Sequence, residues 1–192
     1  MLSPIAAARL WRSARSLDDL GRLTARWLRG ELPTCLTYGG TADGETDEIT
    51  AELVALNEAG WLTDFSQPGH DWIVGWDGET ECRQRAAVTF LLDGRQVAET
   101  AAAALRAGLW VDARPAPRLG FVEGLKARYR RLAVSEAQGP DGDPWMTCGV
   151  GFAYPRSHWR WIGRTWRSRR IGRLLAGAWQ VTVVDLEWGG NS

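Results

Sequence analysis

The sequence predicts an α+β fold: a mixed, mostly antiparallel sheet with helices packed on it. Three observations carry this. Amphipathic helical runs open the chain, short β-branched or alternating runs follow between Gly- and Pro-bearing turns, and residues 85–113 read as a strand–helix–strand unit. The length of 192 residues suits a single domain over 1–192. A hydrophobic share of 45% and a charged share of 24% are those of a globular chain, which excludes disordered and collagen-like architectures. No apolar run is long enough for a membrane-spanning helix, so no membrane partner is expected.

Ser16 reads as the N-cap of a first helix, with Asp18 and Asp19 in its first turn, where negative charge suits the helix dipole. Leu17, Leu20, Leu23, Trp27 and Leu28 keep helical spacing, and Gly30 and Pro33 stop the run. The segment before Ser16 is expected to pack against the domain. Thr46 is the expected cap of a second helix, with Ile49, Leu53 and Leu56 as its buried stripe and Gly60 after it. A strand is expected at 61–65, then a turn at Gln67-Pro68-Gly69-His70 with Pro and Gly where a type II turn needs them. Residues 72–76 and 80–92 flank Asp77-Gly78, a hairpin signal. Asp93 and Gln96 form a capping-box pattern for a helix through Ala107, with Val97, Ala101, Ala104 and Leu105 as its buried face. A strand at 109–113 closes that unit; if its two strands are neighbours they pair parallel by a right-handed crossover. Strands at 126–136 and 145–154 are expected to form a hairpin across the 139–144 linker. A helix over 156–177, broken near Gly172, precedes a buried strand at 179–186.

The zero net charge conceals strong polarity along the chain. Residues 30–82 hold 12 acids and no Lys or Arg, whereas 144–184 hold 7 Arg and no acid. Either these segments neutralise each other across the fold, or one face meets a charged partner. The 3 cysteines stand far apart, which argues against a disulfide framework or a zinc ribbon, and the 2 histidines lack metal-motif spacing. No metal and no cofactor are expected.

Two groups carry candidate chemistry. The loop that holds Asp64, Ser66, Gln67 and His70 gathers a carboxylate, a hydroxyl, an amide and an imidazole, and Arg85 faces it if the strands pair. Such a loop either binds an anionic ligand or simply satisfies its own backbone. Arg156, Arg160, Arg164 and Arg167 fall on one helical face, with Trp161 among them; guanidinium and indole groups together can hold an anionic surface. Asp185 and Glu187 are two apart at the end of the last strand, the spacing of a carboxylate pair on one side. The chain has 12 Trp against 4 Phe and 3 Tyr, with Trp27, Trp110 and Trp179 on core positions.

Several segments together resemble a known family. They are Leu10–Arg15, Asp19–Leu28, Leu56–Gly69, Gln84–Val88 and Trp179–Gly189. In this order they are similar to an uncharacterised family of small actinobacterial and mobile-element proteins. The resemblance spans nearly the whole chain and implies a cytoplasmic protein; it transfers no activity and no catalytic residue. The functional expectation is a non-enzymatic interaction protein whose Arg- and Trp-rich C-terminal region binds an anionic macromolecule, nucleic acid or acidic protein. One alternative is a small enzyme acting on a nucleotide-like or other anionic metabolite at the Ser66–His70 loop. Another is an acidic surface at 43–58 that imitates a polyanion.

Overall fold

The computed structural model describes residues 2–36, 40–42, 44–74, 78–115, 133–138, 144–149 and 168–189. The chain opens with α1 (Pro4–Ser13), an element the sequence reading passed over. Ser3 caps it, accepting from the Ala6 N–H, and Pro4 occupies the first turn, where its missing N–H costs nothing. Trp11 is fully buried and its indole N–H donates to the Thr34 carbonyl at 3.1 Å. The expected second element is α2 (Leu17–Leu28), with the Ser16 hydroxyl accepting from the Asp19 N–H at 3.0 Å.

The cap expected at Thr46 is not one. A 3-10 helix (Gly44–Ile49) precedes α3 (Thr50–Glu58), and the Thr46 carbonyl accepts from the Thr50 hydroxyl at 2.8 Å. Thr46 lies inside the 3-10 helix, and the residue that precedes α3 is Ile49, which has no side-chain oxygen to offer as a cap. The capping box at Asp93 forms as predicted: Asp93 Oδ1 accepts from the Gln96 N–H, and Gln96 Oε1 accepts from the Asp93 N–H. It starts α4 (Gly94–Arg106). Leu105, however, is 67% exposed. Ala104 takes the buried position, and the next residue is turned about 100° away from it.

The strands are β1 (Leu62–Gln67), β2 (His70–Val74), β3 (Glu81–Gln84), β4 (Ala87–Leu92), β5 (Trp110–Pro115), β6 (Ala133–Gln138), β7 (Pro144–Gly149) and β8 (Trp179–Val184). They form two four-stranded sheets, ordered β1-β4-β8-β5 and β2-β3-β6-β7, and every described pairing is antiparallel. The β4–α4–β5 unit is present, but its strands are not neighbours. β8 lies between them and pairs antiparallel with both. The expected β6–β7 hairpin pairing is also present; its 139–143 loop and residues 126–132 lie outside the described residues.

The predicted turn at 67–70 bends the chain without reversing it. β1 pairs with β4, and β2 pairs with β3, so 62–74 and 81–92 make one long hairpin, creased at Pro68-Gly69 and Arg85-Ala86. Each arm belongs to a different sheet. The last helix, α5 (Arg169–Gly177), has no break at Gly172: Ser168 caps it, and Ile171, Gly172 and Leu175 are all buried. A glycine on the buried face permits close packing, which offsets its low helix propensity.

The core has distinct apolar clusters. Trp11, Leu20, Leu23, Ile171 and Leu175 pack from the helices onto Leu62 and Leu91. On the other face of the first sheet, Phe90, Leu92 and Val181 meet Leu56, Trp61 and Val97. Ala87, Val184 and Trp110 form a third group, so two of the three expected core tryptophans, Trp110 and Trp179, line sheet clusters, and Trp27 packs on the first.

Candidate functional site

The crease of the long hairpin gathers the most chemistry. Gln67, Pro68 and Gly69 are buried there. The Gln67 amide donates to the Arg85 carbonyl at 2.8 Å, and His70 stands opposite Gln84 in the β2–β3 register. His70 Nδ1 lies 3.2 Å from the Asp71 carbonyl oxygen, which can only accept. The Asp185 N–H donates to the Ala86 carbonyl at 2.9 Å, tying the end of β8 to the same point. Gly189, at φ +73°, returns the chain onto the start of β2: a Cβ there would stand 3.1 Å from the Asp71 nitrogen.

That return lays Trp188 on the crease. The Arg83 guanidinium lies 4.2 Å from the Trp188 ring centre and 4.7 Å from that of Trp72, and Arg85 lies 4.3 Å from Trp188. Indole and guanidinium groups therefore interleave as Trp72, Arg83, Trp188, Arg85 across both arms of the hairpin. Glu136 on β6 holds Arg83 from the neighbouring strand, its Oε2 accepting from Nε at 3.0 Å and from a terminal nitrogen at 2.7 Å. Burial and the nearby Arg83 charge lower the Arg85 pKa from its ordinary value, while Glu136 and Asp185 oppose that shift. Trp72 is 37% exposed, and Ile73 and Val74 beside it on the edge strand β2 are exposed as well.

A second polar arrangement crosses the first sheet. Register places Thr89, Thr182 and Asp112 in one row over β4, β8 and β5, with Gln180 and Arg114 in the next. Thr89 and Thr182 share a hydroxyl–hydroxyl bond of 3.0 Å, and Asp112 pairs with Arg114, both largely buried. On β1 the register slips between Thr63 and Phe65, so Asp64 is the extra residue of a bulge. Both its carboxylate oxygens are sealed from solvent, with no hydrogen-bond partner among the described residues. Desolvation alone raises its pKa to about 7.

The residues expected from sequence are thus divided. Gln67, His70 and Arg85 meet at the crease, but their polar contacts described here run to backbone carbonyls and, for Arg85, to an indole ring. Ser66 pairs with Val88 in the β1–β4 register, and Asp64 sits two residues further back on the bulge. Asp185 and Glu187 are not a carboxylate pair on a strand. β8 ends at Val184, and Asp185 Oδ1 accepts the Glu187 N–H at 2.9 Å, a local turn. Arg156, Arg160, Arg164, Arg167 and Trp161 lie outside the described residues. Within the acidic stretch, Glu31 pairs with Arg26 and Glu58 with Arg29, so α2 neutralises part of it. Sequence reasoning missed Arg83 and Trp188. The signal for Arg83 was its i, i+2 spacing from Arg85.

A family model described as a domain of unknown function (DUF6919) matches residues 6–121. The chain belongs to this family. A search of curated proteins found no match. The part of the chain that the DUF6919 model matches contains Asp64, the whole creased hairpin and both guanidinium groups of the stack. Trp188 and β8 lie beyond it. No helix among the described residues is long and apolar enough to cross a membrane.

Proposed function

We propose that this DUF6919 protein is a non-enzymatic interaction protein that binds an anionic macromolecule at the crease between its two sheets. The carrying observation is that Arg83 and Arg85 both lie against the ring of Trp188, at 4.2 and 4.3 Å. Cation–π contact fixes both guanidinium planes against one ring, Glu136 takes Nε and one terminal nitrogen of Arg83, and two arginines two residues apart concentrate positive charge on this face, which suits an anionic partner. Trp72 extends the stack to the exposed edge of β2, where a base or an aromatic side chain has a ring to stack on. The Gln67 amide and His70 Nδ1 both turn to backbone carbonyls at the crease, which favours this reading over an enzyme built on that loop. Within the DUF6919 match the two arginines are placed; the C-terminal segment brings the ring that orders them.

The test is a titration of the full chain with a single-stranded oligonucleotide and, separately, with a polyglutamate peptide, each at low and at moderate salt. One of the two is expected to bind with affinity that falls as salt rises, and to lose about tenfold or more on Arg83→Ala, Arg85→Ala or Trp188→Ala. Binding by neither probe, or binding that these changes leave untouched, overturns the reading. Loss on changing Arg156, Arg160, Arg164, Arg167 and Trp161 alone would move the interface there.

A further inference from the structure

The helix α1 turns outward a stripe that its own packing does not use. Ala7 and Trp11, with Ala14 at the C-cap, bury one side of it in the helical cluster, and the Trp11 indole bond to the Thr34 carbonyl anchors it there. At about 100° per residue, Ile5, Arg9 and Arg12 fall within an arc of about 60° on the opposite side. Leu2 precedes them at the start of the chain's described residues. Ile5 is 68% exposed and Leu2 38%; Arg9 is exposed and Arg12 half-buried. The stripe therefore runs from two bare aliphatic side chains to two cations.

The arginines of this helical layer fall into two groups. On α2, Arg22 pairs with Asp18 at 2.9 Å, Arg26 with Glu31 at 2.8 Å, and Arg29 with Glu58. On α1 and α5, no acid pairs with Arg9, Arg12, Arg169, Arg170 or Arg173 among the described residues. α5 buries Ile171 and Leu175 in the same cluster as α1, and Arg169 and Arg173 fall on its other side, exposed. Residues 2–17 and 168–184 contain no Asp or Glu, so nothing local offsets these cations. A nucleic-acid backbone or an acidic peptide would engage the arginines and leave Ile5 and Leu2 against water. An anionic lipid surface engages both, because aliphatic side chains enter the acyl boundary while guanidinium groups meet the headgroup phosphates. We propose that the Leu2–Ile5–Arg9–Arg12 stripe, with the α5 arginines adding charge to the same layer, docks the protein on a bilayer surface rich in anionic phospholipid. The expectation of no membrane partner concerns spanning segments, which a helix lying on the surface does not need. This surface is separate from the crease and does not depend on the anion-binding reading there.

The test is sedimentation of the full chain with vesicles of phosphatidylcholine containing about one third phosphatidylglycerol, and with vesicles of phosphatidylcholine alone, at low and at moderate salt. Binding is expected to the anionic vesicles only, and to weaken as salt rises. Ile5→Ser and the double change Arg9→Gln with Arg12→Gln are each expected to weaken it about tenfold or more, with melting temperatures unchanged because these side chains are not in the core. Ile5→Leu should keep it. Arg95→Gln with Arg106→Gln, the same loss of charge on α4 at the other face of the first sheet, should change it little. The proposal is overturned by absence of binding to anionic vesicles, by equal binding to neutral ones, or by binding that the Ile5 and Arg9/Arg12 changes leave untouched. Loss on Arg83→Ala or Trp188→Ala alone would place the lipid at the crease and overturn it as well. So would binding of a duplex oligonucleotide that needs Arg9 and Arg12 but is indifferent to Ile5→Ser, with no vesicle binding beside it.

Discussion

Gln67 and Arg85 are joined across the crease by one side chain: the Gln67 amide donates to the Arg85 carbonyl at 2.8 Å. Main-chain pairing gives out at this point because the hairpin passes from one sheet to the other. A buried glutamine supplies the missing donor. Gln67→Ala is expected to lower stability by about 1–2 kcal/mol, and Gln67→Glu by more, since a carboxylate cannot donate to a carbonyl. Urea midpoints of the three proteins check this.

Asp64 makes stability depend on pH in an unusual direction. Its folded pKa of about 7 lies above the ordinary carboxylate value, so the folded state holds a proton that the unfolded state has released. The contribution is fully present below the unfolded value, falls as pH rises from about 4 to about 7, and is flat beyond. The loss reaches about 4 kcal/mol at most. Asp64→Asn is expected to be more stable than the parent at pH 8 and to differ little at pH 4, which denaturation at the two pH values measures.

Gly21 touches α3 where no side chain fits. A Cβ there would lie 2.8 Å from the Asn57 carbonyl oxygen, a backbone atom that cannot swing away. Gly21→Ala should therefore destabilise by about 1–3 kcal/mol despite the better helix propensity of alanine. A drop in melting temperature with an unchanged circular dichroism spectrum is the expected result.

Asn57 is fully buried and ties α3 to β1. Its amide donates to the Leu53 carbonyl at 2.8 Å and the Thr63 hydroxyl at 2.7 Å, and its oxygen accepts the Thr63 N–H at 3.1 Å. Asn57→Ala should cost about 2–4 kcal/mol because it leaves these groups unmet in a dry place. Asn57→Asp, which turns a carboxylate oxygen toward the Leu53 carbonyl in a dry place, should cost at least as much.

Trp188 is held by Arg83 and Arg85 alike. Trp188→Phe should retain most of the stability, whereas Trp188→Ala should lose about 1–2 kcal/mol and shift the fluorescence of Trp72.

Local rules made much of the fold legible. Ser16 and the Asp93–Gln96 box act through bonds within three residues, so the sequence alone reveals them. The crease was not legible, because Pro68-Gly69 looks the same whether the chain reverses or bends. Only the partners of β1 and β2, far along the sequence, decide between the two. The position of β8 was hidden for the same reason: a β-branched run shows that a strand exists, not which strands flank it. In the candidate site, Arg85 was found from its place at a strand end. Trp188 was missed because nothing local links it to residues a hundred positions earlier. The partnerless state of Asp64 is likewise a property of three-dimensional surroundings, invisible in Thr63-Asp64-Phe65.

The insertion of β8 between β4 and β5 has a consequence for synthesis. Until residue 179 has been made, β4 and β5 each lack the strand that pairs with their facing flank in the finished sheet. The stretch that defines the family, residues 6–121, holds both flanks and lacks the piece that unites them. Assembly of the sheet therefore waits until residues 179–184 have been made. An excised 6–121 fragment should be sticky and self-associating rather than a free-standing module.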